Sequence, residues 1–201
     1  MSIPGEPPLE DLEAYLEWLE VKFYKNKDGS LTVPGELRLD SIGLTRLPDL
    51  SRVDVQRGFS CSHNKLTSLA GAPRRVGGFF SCTNNELANL EGATQDVGGN
   101  FSCSENKLLT LKGAPPGLRK RFLCHHNPGL KSLEHAPQSA RDITSDFGQF
   151  KSWDEVPEIL RVSDETRAAA AAVEKNLRDN LILREPMAIR HPWTLRKNPA
   201  F

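Results

Sequence analysis

The chain has no long apolar run: no window of its 201 residues approaches the roughly 20 apolar side chains that a membrane-spanning helix needs. Residues 1 to 20 hold six acids and no Lys or Arg, where a secretory leader would carry a basic start and an apolar centre, so export by a signal peptide is not expected. Catalytic signatures are missing as well. There is no HExxH, no phosphate-binding loop and no GxSxG, and the Gly-Gly pairs beginning at 77 and 98 open strands instead of helices. Neither sign of charge is in excess, at 26 basic against 26 acidic residues, which removes the overall basicity expected of a nucleic-acid binder. The balance is uneven along the chain. Residues 1 to 20 are net minus six, residues 21 to 143 hold 17 basic and 11 acidic side chains, and the remainder balances at nine each.

Cysteine is present and periodic. Cys61, Cys82, Cys103 and Cys124 each stand 21 positions after the last. Phe59, Phe80, Phe101 and Phe122 precede them by two, and Asn64, Asn85, Asn106 and Asn127 follow by three. Leu66, Leu87 and Leu108 come at plus five, and Leu69, Leu90 and Leu111 at plus eight. A unit this short cannot bury its own apolar side, so the period predicts a solenoid of stacked turns. Strand alternation turns Phe59 and Cys61 inward and Ser60 and Ser62 outward. The Asn both donates and accepts, and a column of carboxamides would satisfy turn backbone groups from one repeat to the next. Gly-Ala-Pro and Val-Gly-Gly read as a return path of turns and polyproline-like segments, with no room for a helix.

Drifted repeats flank the clear ones. Leu37, Leu39, Leu44 and Leu47 form a first unit over residues 37 to 58, and Ile143, Ser145, Phe150 and Trp153 resume the phase after one extra residue near Pro128 and Gly129. Six strands follow from this count. Upstream, Leu9, Leu12, Leu16 and Leu19 predict an amphipathic helix from Pro8 to about Val21, and Asp28-Gly29 between Phe23-Tyr24 and Leu31-Thr32-Val33 predicts a hairpin. Downstream, Ser163 is a candidate N-cap for a helix reaching about Leu183, rich in alanine from Ala168 to Ala172. The expected organisation is a cap over 1–36, a solenoid over 37–162, a helix over 163–183 and a proline-containing arm over 184–201.

The wording Asn-Lys-Leu-Thr-Ser-Leu-Ala-Gly-Ala-Pro (64–73), followed by Val-Gly-Gly-Phe-Phe-Ser-Cys (76–82), resembles the leucine-rich repeat, and within that family the compact repeats of uncharacterised bacteriophage proteins. The resemblance spans about Val21 to Pro157. It implies an α/β repeat solenoid of six short parallel strands of leucine-rich-repeat type, capped by the N-terminal helix and hairpin and by the C-terminal helix. Function is implied less specifically, since such solenoids host many unrelated roles.

A straight column of cysteines cannot surround a tetrahedral ion, and parallel side-chain directions disfavour bridging, so the sequence predicts buried reduced thiols and neither metal nor cofactor. His125 and His126 are adjacent, and His63 lies three repeats away, which makes no catalytic set. Arg74-Arg75 and Arg119-Lys120-Arg121 form a modest basic strip without interleaved aromatics, expected to be solvated loop charge. The outward face of the strands presents Arg38, Ser60, Ser81, Ser102, Leu123 and Thr144 in one column and Asp40, Ser62, Thr83, Ser104 and His125 in the next, with few of the anchors of a tight interface. Partner contact is therefore expected from the edges: Ala169, Val173 and Leu177 of the C-terminal helix, and Met187, Trp193, Leu195 and Phe201 of the arm. The chain is expected to be a non-enzymatic protein-interaction module, with a homo-oligomer possible and no membrane partner. The phage resemblance implies either a structural virion component, such as a head decoration protein docking through its arm, or an inhibitor or adaptor in the host cytoplasm that binds a host or defence protein.

Overall fold

The structure is a computed structural model and describes residues 7–182; the expected arm over 184–201 lies outside them. The chain divides into two units, Met1–Asp164 and Glu165–Phe201. The first is a parallel β-solenoid of about five turns.

Its main sheet contains the predicted rungs, β3 (Leu37–Arg38), β5 (Phe59–Ser60), β7 (Phe80–Ser81), β9 (Phe101–Ser102), β10 (Arg121–Leu123) and β11 (Asp142–Ser145), all parallel. Leu37, Phe59, Phe80, Phe101, Phe122 and Ile143 are register partners across these strands and are all fully buried. The rings form a stack: Phe80 and Phe101 lie 4.8 Å apart at 6° between planes, and Phe101 and Phe122 5.8 Å apart at 20°. Leu66, Leu69, Leu87, Leu90, Leu108 and Leu111 complete the same core.

The return path corrects the expectation of turns and polyproline-like segments. It carries a second parallel sheet, β2 (Leu31–Val33), β4 (Val53–Val55), β6 (Arg75–Val76) and β8 (Asp96–Val97), with β1 (Tyr24–Lys25) added antiparallel at its start. Val53, Val55, Val76 and Val97 are buried, and β-branched side chains suit a half-buried strand. The hairpin is thus present, but its second strand is itself a rung of the solenoid. The Gly-Gly pairs after β6 and β8 allow one backbone to lie against the next: a Cβ on Gly98 would sit 2.3 Å from the Gly77 carbonyl oxygen.

The ends also differ from expectation. The N-terminal helix α1 is Leu12–Trp18, capped by the Asp11 carboxylate, which accepts from the Ala14 N–H at 3.1 Å. Pro8 to Asp11 form a turn ahead of it, and Glu20 at φ 54 ends it. Tyr15 and Leu16 enter the core cluster. At the other end Phe150 is not a turn residue of a sixth repeat. It lies in β12 (Gly148–Phe150), which folds back antiparallel on β11 and pairs Phe150 with Ile143. Phe150 and Trp153, the latter in a short 3-10 turn, still pack against the core.

The second unit contains helix α2, Asp164–Ile182, starting directly after Ser163 as the capping signal predicts. The described side chains from Ala168 to Asn176 are exposed.

Candidate interaction surfaces

Each turn of the main sheet closes through a left-handed residue: Ser41, His63, Asn84, Glu105 and His126 all have φ between 56 and 58°. Non-glycine residues enter this region at a cost, and here it swings the following side chain inward. In four turns that side chain is the repeated Asn. Asn106 shows the pattern: Oδ1 accepts from the Leu87 N–H at 3.1 Å, while Nδ2 donates to the carbonyls of Cys82, Cys103 and Ser104 at 3.0 to 3.2 Å. Asn64, Asn85 and Asn127 repeat it, each bridging its own turn to the one before. His135 takes φ 67 where earlier turns use Gly71, Gly92 and Gly113.

After β11 the chain folds back into β12 instead of repeating this corner, and the Asp146 carboxylate takes the place of the missing carbonyls. Within the stack the N–H groups of Asn84 and Asn85 donate to the Ser104 and Glu105 carbonyls. At the equivalent step, the N–H groups of His126 and Asn127 donate to Oδ1 and Oδ2 of Asp146, at 2.7 and 2.8 Å. Burial works against ionisation of Asp146, but these two N–H groups and the nearby His126 and His125 outweigh it and hold the carboxyl below its ordinary value. A carboxylate with a depressed folded-state pKa stabilises the fold above its unfolded pKa, near 4, and loses that effect as pH falls through the folded value. Asp146→Ala should therefore cost about 1 to 2 kcal/mol at neutral pH, by analogy with loss of a helix N-cap. The difference from wild type in urea midpoints should shrink as pH is lowered toward about 3. Equal midpoints at neutral pH would show that Asp146 caps nothing.

The outward face of the main sheet is less open than its side chains suggest. Ser60, Ser62 and Ser104 are buried, while Ser81, Ser102, Leu123 and His125 are half-buried and Arg38 is exposed. A hydroxyl ladder accounts for Ser60 and Ser62: Ser60 donates to Asp40, Ser60 and Ser62 are 3.1 Å apart, Ser62 and Ser81 2.8 Å, and Thr83 and Ser102 2.8 Å, whereas the buried Ser104 hydroxyl has no hydrogen-bond partner among the described residues. Small side chains bonded to their neighbours along the stack leave few groups free for a ligand. The ladder stops at Leu123, where a hydroxyl column loses its oxygen. Beyond it the His125 and His126 rings meet edge-on with Nδ1 atoms 3.3 Å apart. Histidine, cysteine and carboxylate side chains form no group of three that could hold a metal among the described residues.

Cys61, Cys82, Cys103 and Cys124 are free thiols, all buried. Burial pushes every one of them upward, Cys124 to about 12 with the Asp146 charge adding to the effect. A thiol reagent should label them at least about a hundredfold more slowly in the native protein than in denaturant, because reaction requires both access and thiolate. Rapid native labelling of two or more would mean that these strands open far more readily than the rest of the core.

Of the expected edge contacts, Ala169 and Val173 are exposed on α2, Val173 at 59%. Leu177 falls within α2 with its side chain outside the described ones, and Met187, Trp193, Leu195 and Phe201 lie outside the described residues. Tyr24, Leu109 and Ile159 are further large apolar side chains in solvent, each above 60% exposed. Sequence reasoning did not find the role of Asp146, whose only signal is its position one turn beyond the last Asn. No helix among the described residues is long and apolar enough to cross a membrane. Comparison with protein-family models, curated proteins and solved structures finds no match to this chain.

Proposed function

We propose that the chain is a non-enzymatic protein-interaction module of leucine-rich-repeat type, with α1 and its hairpin as the N-terminal cap. The observation that carries this reading is α2: a 19-residue helix whose side chains from Ala168 to Asn176 are exposed. Most helical stability in proteins comes from packing of one face, and the exposed run of alanines ending in Val173 suits close approach by a partner. The hydroxyl floor, by contrast, is largely consumed by its own ladder.

The resemblance to bacteriophage repeats supports a structural virion component, such as a head decoration protein, as the specific role. Mass spectrometry of purified particles tests it. The protein should be recovered in stoichiometric amounts with the major shell proteins. Its absence from particles, together with co-purification of a single host protein from infected cells, would replace the virion role with that of an intracellular inhibitor or adaptor.

A further inference from the structure

Several cations of the stack have a carboxylate partner on a neighbouring turn, whereas Arg52, Arg57 and Lys65 are exposed with no ion pair among the described residues. Arg74 pairs with Asp54 at 2.6 Å, Arg75 with Asp96 at 3.1 Å, Lys107 with Glu86 at 2.8 Å and Lys112 with Glu91 at 2.7 Å. The fifth turn gathers such cations at one corner. Arg119 and Lys120 stand where the two preceding turns have Gly77-Gly78 and Gly98-Gly99, the corner at which a Cβ meets the neighbouring backbone. The second sheet ends at β8, one turn before them.

The sixth turn adds to the same corner. The Arg141 N–H donates to the Lys120 carbonyl at 3.2 Å, and the Ser139 hydroxyl donates to the Pro116 and Leu118 carbonyls at 2.9 and 3.0 Å. Arg141 and Lys120 therefore stand on adjacent turns. Arg121 and Lys151 share a single acid, Asp142, at 3.8 and 3.9 Å. Arg119, Lys120 and Arg141 are exposed and have no ion pair among the described residues. Five cations with one carboxylate form a feature that folding alone does not require.

The complementary charge lies at the opposite end of the stack. Glu13 pairs with Lys25 and Glu10 with Arg46, which holds α1 at the first turn. Glu17 and Glu20 are exposed, again with no ion pair among the described residues. The two ends of one stack cannot meet each other. We infer that the basic corner of Arg119, Lys120, Arg121 and Arg141 receives the acidic face of α1 from a second copy, giving head-to-tail association. This contact is heterologous, so it propagates into a ring or an open array. The inference rests on the protein-interaction reading and specifies one partner for it.

Sedimentation velocity on the full chain tests the inference. Raising salt from about 0.1 M to about 1 M shortens the screening length from about 10 Å to about 3 Å, and concentration-dependent association at the lower salt should vanish at the higher. The triple variant Arg119→Glu, Lys120→Glu, Arg141→Glu should weaken association by about tenfold or more, since like charges then face each other. A second variant, Glu17→Lys with Glu20→Lys, should do the same. Mixing the two variants should restore a complex, because a reversed corner then meets a reversed cap. Circular dichroism confirms that each is folded. Wild type that remains monomeric at low salt, a triple variant that associates undiminished, or folded variants that fail to complement each other would each overturn the inference. So would wild type that stays monomeric while this corner captures a single-stranded oligonucleotide. None of these outcomes would remove the protein from purified particles, so the wider reading is judged separately.

Discussion

Replacing Phe101 with Ala is expected to cost about 3 to 5 kcal/mol, the range for emptying a buried aromatic site. Phe101 is fully buried and has a ring on each side, Phe80 at 4.8 Å and Phe122 at 5.8 Å. Its removal leaves a cavity between two turns whose backbones are already fixed by the sheet, so collapse is restricted. Phe59 has a ring neighbour only in Phe80, at 5.1 Å, because its register partner in the preceding turn is Leu37. Phe59→Ala should therefore cost less than Phe101→Ala, as expected where stability is carried by nearest-neighbour interfaces. Urea denaturation of the two variants measures this. A midpoint for Phe101→Ala that barely moves would mean the stack is not a stabilising part of the core.

Asn106→Ala is expected to destabilise by about 1 to 3 kcal/mol, although the side chain lost is small and polar. The substitution leaves the Leu87 N–H without its acceptor, while the carbonyls of Cys82, Cys103 and Ser104 each lose one donor and keep another, from Asn85, Asn127 and the Asn84 N–H respectively. Asn106 is buried, so water cannot replace these bonds cheaply, and an unsatisfied buried group costs about 1 to 3 kcal/mol. Asn106→Asp separates the donor from the acceptor role. It keeps an oxygen for Leu87 but sets a charge against three carbonyls, so it should be at least as costly at neutral pH. Acidification should recover part of the loss, because a buried carboxyl is protonated more readily in the folded state than in the unfolded one. Denaturation midpoints across pH measure this. A variant as stable as wild type at neutral pH would mean that the carboxamide is dispensable.

The two variants also separate what is local from what is not. Phe101, Cys103 and Asn106 are readable because their spacing repeats, and because strand alternation fixes which of them turns inward. Repetition made the six parallel strands and the buried thiols derivable from one line of residues. The second sheet was not derivable in the same way. Its strands β6 and β8 are two residues each, too short for alternation to register, and a lone valine beside a Gly-Gly pair reads equally as a turn. Only stacking supplies the partner that makes it a strand. Burial of Ser60 and Ser62 has a similar origin, since an outward serine is exposed until its neighbours on adjacent turns bond across it. Asp146 looks like an ordinary surface acid until the fold-back of β11 into β12 leaves two N–H groups of the preceding turn pointing at it. The basic corner was half visible: Arg119 to Arg121 are contiguous, but Arg141 joins them through a contact 21 residues away. The sequence by itself determined the period and the inward columns, because these depend on spacing within one chain segment. The tertiary structure alone decided the second sheet, the ends and the surface, because each depends on which groups the adjacent turn brings within hydrogen-bonding distance.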